Sequence, residues 1–276
     1  MFFPSSRQLQ STIPELTMET LHSNEFYDRL ARVFDVMTDW QKRLAQEMPF
    51  LQRTLDRHRA RTLLDTACGT GWHAITLAQK GYTAAGCDAS PQMIEQARAN
   101  AAKAQAKVRF EVADFNQLNH FTETFDAVLC LGNSLPHLLS QEALVEAMRQ
   151  MHGKLEKGGV LILHNLNYDM RMKKKPRFFA ANGSDEALVW RFADYGPEFI
   201  TFHTALFERK TEGARQESVS WAVQVNSTLH RPLFERDVDE ALEQAKFGDI
   251  RHFGGLDGSP FEKDKSGDLV IVALAQ

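Results

Sequence analysis

The residues best suited to chemistry in this chain lie where an apolar run passes into a turn marked by glycines. Residues 61–72 read Arg-Thr-Leu-Leu-Asp-Thr-Ala-Cys-Gly-Thr-Gly-Trp, in which Asp65 follows the apolar run and Gly69 and Gly71 mark the turn. Glycine lets a backbone approach a ligand closely and adopt dihedral angles that other residues avoid. A helix predicted over residues 72–80 would then point its N-terminal amides at that ligand. The pattern is typical of a site for a nucleotide-like cofactor.

Three later segments extend this site. Asp88 ends a second short strand, 17 positions after Gly71, where an acid can accept both hydroxyl groups of an adenosine ribose. Asp114 and Phe115 end a third strand and suit an adenine, because one accepts from its amino group and the other packs on its ring. A fourth strand stops at residues 132–133, Gly-Asn. The first two features also fit an NAD enzyme, which the last two disfavour.

In order and spacing, these motifs resemble those of the class I S-adenosylmethionine-dependent methyltransferases. The matching positions are Asp65-x-Ala-x-Gly-x-Gly71, Asp88, Asp114-Phe115 and Phe125-Asp126. The resemblance covers about residues 26–157 and returns near the C-terminal end. It implies an α/β fold with a Rossmann-like, seven-stranded, mostly parallel sheet flanked by helices, whose last strand is antiparallel. The residues themselves predict an antiparallel β insertion after the fifth strand. The resemblance also implies S-adenosyl-L-methionine as the cofactor.

The resemblance assigns roles to individual positions. Asp65 stands at the methionine end of the cofactor, and Arg43 would clamp the cofactor carboxylate through charge-assisted hydrogen bonds. Tyr27 and Trp40 would cover the cofactor; plain packing for these two, and a solvated Arg43, stay open as alternatives. The predicted cofactor-binding residues are Tyr27, Trp40, Arg43, Asp65, Ala67, Gly69, Gly71, Asp88, Ala89, Met93, Asp114, Phe115, Leu131 and Gly132.

On the substrate side, Asn133 and His137 are the predicted catalytic residues. The segment Leu-Gly-Asn-Ser before His137 and the Asn-Tyr-Asp at residues 167–169 look most similar to the glycine and sarcosine N-methyltransferase group. That group carries an arginine just before Asn-Tyr-Asp to grip the substrate carboxylate, whereas this chain has Leu166. Glycine is therefore expected to be a poor acceptor. A replacement cation, or only a solvated basic loop, would come from Arg171, Lys173, Lys174, Lys175 and Arg177.

Hydrophobic periodicity predicts the elements that position these residues. Helices are expected over residues 26–35 and 40–57, the second interrupted by Pro49. Ser90 is predicted to cap a helix over residues 91–103. Strand-helix alternation to about residue 169 calls for a parallel sheet with right-handed crossovers.

The pattern then changes to a predicted three-stranded antiparallel meander. We expect four parts, namely a flexible tail over 1–20, a cofactor-binding core over 21–169, a substrate-lid insertion over 170–230 and a completing helix and strands over 231–276. Aromatic side chains and a histidine of the insertion would line a substrate chamber or an ammonium cage, with plain sheet packing as the alternative. They are Trp190, Phe192, Tyr195, Phe199, Phe202, His203, Phe207 and Trp221.

Composition narrows the class of protein. The chain has 276 residues and a net charge of -4, which gives no footprint for binding nucleic acid or an anionic membrane. No apolar run approaches the roughly 18 residues that span a bilayer, and the N-terminus does not resemble a signal peptide. Three cysteines without metal-ligand spacing read as reduced core residues of a cytoplasmic protein. A small-molecule substrate and no metal are expected, while a homo-oligomer stays open.

The predicted activity is methyl transfer from S-adenosylmethionine to a small molecule, most readily on an amine nitrogen. The first alternative is carbon or oxygen methylation of an aromatic or quinone-like acceptor, which would need a general base. A second is a protein that binds S-adenosylmethionine without catalysing transfer. An NAD-dependent dehydrogenase is the last alternative.

Overall fold

The structure is a computed structural model and describes residues 20–179, 181–212 and 218–276, with the side chains of residues 210–212 and 218–220 left aside. The tail expected over residues 1–20 lies outside the described residues, apart from Thr20. The helices are α1 (Ser23–Met37), α2 (Trp40–Arg57), α3 (Trp72–Gln79), α4 (Pro91–Lys103), α5 (Gln141–His152), α6 (Tyr168–Lys174) and α7 (Glu235–Gln244). The strands are β1 (Thr20–Leu21), β2 (Thr62–Thr66), β3 (Thr83–Asp88), β4 (Val108–Val112), β5 (Phe125–Cys130), β6 (Leu155–Leu166), β7 (Asn182–Gly183), β8 (Ala187–Tyr195), β9 (Ile200–Glu212), β10 (Ser218–His230), β11 (Phe247–Phe253) and β12 (Asp268–Ala275).

Seven strands form the central sheet in the order β11-β12-β6-β5-β2-β3-β4. From β6 to β4 all neighbours are parallel, whereas β12 is antiparallel to both β6 and β11. The predicted α/β class, with a mostly parallel sheet and an antiparallel last strand, is confirmed. Because the carboxyl ends of parallel strands meet at one edge, the turns after β2, β3, β4 and β5 lie together.

Both faces of this sheet are covered, as the apolar run of β2 requires. Successive side chains of a strand point to opposite faces. Leu63 and Leu64 are each fully buried and belong to the two separate hydrophobic clusters of the protein's main body. The next residue, Asp65, is just as deeply placed at 1% exposure. An acid so close to the core needs a partner or a function.

Two local predictions about helices have different outcomes. Ser90 caps α4 as predicted, because its hydroxyl accepts a hydrogen bond from the Met93 amide at 3.1 Å. Pro49 was expected to interrupt α2, and this is wrong, since the helix continues through it to Arg57. Proline removes one backbone donor and costs helix stability. Burial of flanking residues such as Phe50 and Leu51 offsets that cost.

A second, smaller sheet follows β6 and has the order β1-β10-β9-β8-β7. Strands β8, β9 and β10 form the predicted antiparallel meander. The sequence did not indicate that β1 would pair with β10 or that β7 would pair with β8. Helix α1 packs on this sheet through Phe26, Leu30 and Val33, which meet Val189 and Leu206.

Two further expectations concern the membrane and the cysteines. None of the helices within the described ranges is long and apolar enough to cross a membrane. Cys68, Cys87 and Cys130 are free thiols and are buried, as predicted. Burial raises the pKa of Cys130 to about 12, so its thiol is uncharged at neutral pH.

Candidate active site

A cavity of about 240 Å³, called the first cavity below, opens at the carboxyl edge of the central sheet. Its lining comes from the turns after β2 to β5 together with α1, α2 and the start of α4. Every residue predicted to bind the cofactor lines it except Gly71, namely Tyr27, Trp40, Arg43, Asp65, Ala67, Gly69, Asp88, Ala89, Met93, Asp114, Phe115, Leu131 and Gly132. Motifs that are distant in sequence therefore meet in one place.

Asp65 lies in this cavity as an unpartnered acid. Neither of its carboxylate oxygens has a hydrogen-bond partner among the described residues. Burial, and then the charge of Asp88, raises the pKa of Asp65 to about 8, although Arg43 offsets part of this effect. A buried polar group without a partner is costly. Asp65 therefore marks where a positively charged group of a ligand would bind.

Asp88 is oriented by two backbone amides. Its Oδ2 accepts from the Gly69 amide at 2.9 Å, and its Oδ1 accepts from the Ser90 amide at 3.0 Å. Burial raises the pKa of Asp88, while these two hydrogen bonds lower it. A carboxylate offers about four lone-pair sites, so each oxygen can accept a further hydrogen bond. This arrangement suits a pair of neighbouring hydroxyl groups.

The turn after β2 adopts left-handed dihedral angles at Ala67 (φ 59°), Gly69 (φ 56°) and Gly71 (φ 83°). Glycine tolerates this region, whereas alanine pays roughly 1–2 kcal/mol for it, so Ala67 is a strained residue at the cavity. A Cβ at position 71 would lie 2.7 Å from Cζ of Phe110. Gly71 is thus required for packing α3 against β4, and it does not line the first cavity.

Asp35, which no sequence motif indicated, lies behind the first cavity and holds Trp40 of its lining. Its Oδ1 accepts from Thr70 Oγ1 at 2.6 Å and from Trp40 Nε1 at 2.9 Å. Its Oδ2 accepts from Asn100 Nδ2 at 2.9 Å and from Trp72 Nε1 at 3.1 Å. These bonds tie α1 to α2, α4 and the glycine turn. An acid on an amphipathic helix is normally interpreted as a surface charge, so the sequence does not indicate that Asp35 links these elements.

Arg43 is held in place rather than solvated. Its Nε donates to Glu47 Oε1 at 2.8 Å, and its guanidinium lies 5.0 Å from the centroid of the Trp40 ring. The other oxygen of Glu47 lies 2.6 Å from Nε2 of His73. Burial lowers the pKa of His73, so a neutral imidazole donates to Glu47 at neutral pH. Glu47 and His73, both missed from sequence, therefore position Arg43.

A second cavity, of about 310 Å³, adjoins the first. Four residues line both cavities and form what we call the shared wall, namely Tyr27, Phe34, Arg43 and Gly132. Further lining comes from α1, from the end of β6 and α6, and from strands β8, β9 and β10 of the small sheet. The insertion after β6 thus faces the carboxyl edge of the central sheet across this space.

The two residues predicted to be catalytic lie in different cavities. Asn133 lines the second, where its Nδ2 donates to the Tyr168 hydroxyl at 3.1 Å and its Oδ1 accepts from the Leu166 amide at 3.0 Å. Its side chain therefore positions the chain around it. His137 lines the first cavity, with Nε2 at 3.2 Å from the Tyr27 hydroxyl. Burial lowers the pKa of His137 to about 4, so the ring is neutral at neutral pH.

The basic residues after Asn-Tyr-Asp separate into two groups. Arg171 lines the second cavity, where its guanidinium lies 4.6 Å from the ring centroid of Phe179. Lys173 forms an exposed ion pair with Asp264. Arg177 is likewise exposed and pairs with an acid of β8. Arg171 is therefore the member of this group that is placed to meet a substrate.

Most aromatic residues of the insertion pack on the sheet itself. Phe192 stacks on His203 with ring centroids 4.5 Å apart, and Trp190 lies 5.4 Å from Phe192. Trp221 is 51% exposed. Of the insertion aromatics predicted to form a chamber, as far as the structure describes their side chains, Phe202 lines the second cavity.

Potential metal ligands occur away from these residues. Within the described part of the chain, Glu235, Asp239 and His252 form one group whose ligand atoms lie within 4.8 Å of one another. His252 Nε2 lies 2.8 Å from Asp239 Oδ1, and Lys263 Nζ donates to Glu235 Oε2 at 2.9 Å. Each of these side chains already has a hydrogen-bond partner.

The residues of the first cavity fit the cofactor that the resemblance implies. The unpartnered carboxylate of Asp65 would take the cofactor's amino group, and Arg43 its carboxylate. The remaining lone pairs of Asp88 would take the ribose hydroxyl groups, while Met93 and Phe115 offer apolar surface for an adenine. The fit rests on Asp65, because its buried carboxyl group has no hydrogen-bond partner within the described protein.

Comparisons with known proteins agree with this fit. A family model described as a methyltransferase domain matches residues 63–159. The glycine/sarcosine N-methyltransferase of Aphanothece halophytica is 31% identical over 208 residues, covering 71% of this chain and 78% of that protein. The enzyme of the same name from Parasynechococcus marenigrum is 33% identical over 196 residues, covering 70% and 69%. An S-adenosylmethionine-dependent methyltransferase structure from Clostridium acetobutylicum has a TM-score of 0.73 at 19% identity, covering 90% of this chain and 98% of that one, and shows the same fold.

Proposed function

The chain belongs to the class I S-adenosylmethionine-dependent methyltransferases, near the glycine/sarcosine N-methyltransferases, and we propose that it methylates the nitrogen of a small-molecule amine bound in the second cavity. The observation that carries this proposal is the shared wall. There the first cavity, whose residues fit the cofactor, meets the second cavity, whose volume of about 310 Å³ leaves room for a small molecule. The relatives named for N-methylation support nitrogen as the acceptor atom.

The reaction asks mainly for positioning. S-adenosylmethionine supplies a methyl group on a sulfonium, so that a nitrogen-carbon bond forms as the sulfur-carbon bond breaks and the amine's proton leaves to solvent. The nucleophile must be held about 3–3.5 Å from the methyl carbon. Asp65, Asp88 and Arg43 would fix the cofactor, while Tyr27 of the shared wall would stand beside the reacting atoms, where the two cavities meet.

An amine must be neutral to act as the nucleophile. The second cavity contains Arg43, Arg171 and Arg191, and no aspartate or glutamate occurs among its described lining residues. Nearby positive charge disfavours the protonated form of an amine and lowers its pKa. The chamber would therefore favour the nucleophilic form without a dedicated base.

The same arginines favour a second candidate function, the methylation of an acidic hydroxyl group such as that of a phenol. Positive charge lowers the pKa of a phenol and favours the phenolate nucleophile. The two candidates differ in the atom that receives the methyl group and are separated by the identity of the product.

The test incubates the purified protein with S-adenosylmethionine carrying a ¹³C-labelled methyl group and matched pools of amines, amino acids and phenols. Mass spectrometry locates the labelled product, and the ¹³C shift of the methyl group distinguishes nitrogen, oxygen and carbon attachment. The Asp88→Ala variant serves as the control that lacks a cofactor-binding group. Labelling of an amine supports the proposal, whereas labelling confined to phenols, or no cofactor-dependent product, contradicts it.

A further inference from the structure

Strand β8 carries one arginine between small apolar residues of the same face. Because side chains alternate along a strand, Ala187, Val189, Arg191 and Ala193 share the face turned toward the second cavity. Val189 and Ala193 are 1% and 2% exposed, and Arg191 between them is half-buried and lines that cavity. A position that packing alone would fill with an apolar residue therefore holds a charge.

Thr204 stands directly opposite Arg191. The two residues are register partners in the antiparallel pairing of β8 with β9, so their side chains lie on the same face. Thr204 is fully buried and lines the same cavity. Its hydroxyl has no hydrogen-bond partner among the described residues. Two adjacent donors thus face a space from which nothing in the described protein accepts their hydrogen bonds.

The charges around Arg191 give it no counter-ion. No ion pair or hydrogen bond of its side chain is found within residues 20–179, 181–212 and 218–276, and no acid is among the described lining of the second cavity. Asp39 and Lys42 flank a neighbouring opening that Arg191 also lines, and the Asp39 carboxylate already accepts from the Lys42 amide at 3.0 Å. Burial lowers the pKa of Arg191, Tyr27 offsets part of this effect, and the charge of Arg43 adds to it.

A buried or half-buried cation without a partner is unfavourable. Arg43 has Glu47 as its partner, but Arg191 has none within the described protein. Arg171 in the same cavity contacts the ring of Phe179 and the hydroxyl of Tyr195, and has no acid as partner among the described lining residues there. Two guanidinium groups with a nearby hydroxyl can bind one oxyanion through several charge-assisted hydrogen bonds.

We propose that Arg191, together with Thr204 and Arg171, forms an anion-binding subsite, so that the methyl acceptor is an amine that also carries a carboxylate. This inference rests on the proposed N-methyltransferase function and narrows its substrate class. Leu166, where the resemblance implies a carboxylate-binding arginine, lines the same cavity. The cation is therefore supplied by β8 and α6 rather than by the end of β6.

The test compares acceptors in matched pairs that differ only at the anionic group. Suitable pairs are sarcosine with sarcosinamide, β-alanine with β-alaninamide and anthranilate with anthranilamide, with taurine and 2-aminoethylphosphonate as further anions. We expect the carboxylates to exceed their amides in kcat/KM by about 10-fold or more, the size of a buried charge-assisted hydrogen bond. Amides that match the carboxylates, or a preference for the phosphonate or sulfonate, would overturn the assignment.

Variants test whether Arg191 causes the preference for carboxylates over amides. Arg191→Met should reduce the carboxylate-to-amide ratio to near one, mainly through KM, while leaving the Kd of the cofactor unchanged as proof of folding. Arg191→Lys should restore part of the ratio. Arg209→Met is the matched control, because Arg209 lies in the same sheet but is exposed and pairs with Glu186. A ratio that survives in a folded Arg191→Met protein would contradict the proposal.

A binding measurement separates this inference from the proposed function. Calorimetry on protein saturated with S-adenosylhomocysteine, titrated with sodium propionate or propionamide, needs no turnover. We expect binding of propionate alone, and its loss in Arg191→Met. If no amine is methylated but propionate binds in this way, the proposed function fails and the anion subsite stands. If amines are methylated and propionate does not bind through Arg191, the subsite fails and the function stands.

Discussion

The first and second cavities share a wall but differ in the sign of their charges. The first presents Asp65, Asp88 and Asp114, whereas the second presents Arg171 and Arg191 and no acid among its described lining residues. S-adenosylmethionine carries a sulfonium, an ammonium and a carboxylate; acids suit the two cations, and Arg43 of the shared wall would take the carboxylate. The amine that we propose for the second cavity carries a carboxylate, and arginines suit it. Opposite charge on the two sides would favour each ligand in its own cavity.

The two cavities also differ in what they are built from. The first lies at the ends of parallel strands whose residues, such as Leu63, Leu64 and Leu129, are fully buried in the main core. The second is closed by β8, β9 and β10, so its chemistry depends on the register of an antiparallel meander. A one-residue slip would move Arg191 to the opposite face of the sheet. We therefore expect damage to the first cavity to affect the cofactor and damage to the second to affect the acceptor.

The largest effect should come from Asp65→Asn. Removing the acid that we assign to the cofactor's amino group leaves that ammonium without its buried partner, which costs 2–5 kcal/mol in comparable sites. Cofactor affinity should fall by about 100-fold or more, as measured by calorimetry. Asp264→Asn, an exposed acid outside both cavities, is the control. An Asp65→Asn protein that binds the cofactor normally would remove Asp65 from the site.

The same variant should have the opposite effect on stability without ligand. Because the pKa of Asp65 is raised to about 8 in the fold, folding at pH 7 must protonate a carboxyl group that is ionised when unfolded. The free energy of unfolding should thus decline as pH rises from about 4 to 8, and Asp65→Asn should be more stable at pH 7 by about 1–3 kcal/mol. Denaturant titrations across this range provide the measurement. If the variant keeps the pH dependence of the unaltered protein, the pKa of Asp65 is not raised in the fold.

The next effect, on the same side of the wall, should come from Asp88→Ala. Loss of a hydrogen-bonded carboxylate costs about 1–3 kcal/mol, or about 5- to 150-fold in cofactor Kd. Because Asp88 lines only the first cavity, the acceptor's KM at saturating cofactor should change little. A larger change in acceptor KM than in cofactor Kd would contradict the assignment of the cofactor to the first cavity and the acceptor to the second.

The difference between the cavities explains what the sequence could predict. Asp65, Asp88 and Asp114 each follow a recognisable strand, and the geometry of parallel sheets brings such positions together, so the first cavity could be predicted almost completely. Asp35 and Glu47 could not, because Asp35 bonds Thr70 and Asn100, 35 and 65 positions away, and Glu47 bonds a histidine 26 positions away.

The lining of the second cavity could not be predicted from hydrophobic periodicity, because it is set by which strands pair and in which register. Arg191 follows Trp190 in a strand rich in aromatic residues, and its inward orientation is set by the pairing of β8 with β9. The basic residues that attracted attention in sequence, such as Lys173 and Arg177, proved to be exposed and paired. The prediction that Pro49 interrupts α2 was wrong, because tertiary packing stabilises the helix on both sides of it.

A smaller effect, on both sides of the wall, should come from Glu47→Gln. Glu47 orients Arg43, which lines both cavities, so both cofactor Kd and acceptor KM should rise, by about 3- to 10-fold for the loss of charge-assisted hydrogen bonds. Arg149→Gln, an exposed arginine on α5, provides a surface control. A change restricted to thermal stability would mean that Glu47 serves the fold alone.

The smallest effect should come from Tyr27→Phe, which tests the shared wall itself. The hydroxyl of Tyr27 lies 3.2 Å from Nε2 of His137, and burial raises its pKa well above the usual range, so it stays protonated. Removing one neutral hydrogen bond costs about 0.5–1.5 kcal/mol, and we expect the low end of this range because the Tyr27 ring still lines both cavities. Cofactor Kd and acceptor KM should each rise by only about two- to threefold. A loss of turnover far beyond this, with a new pH dependence, would show that the Tyr27–His137 pair transfers a proton, and the wall would then be part of the catalytic machinery rather than a partition.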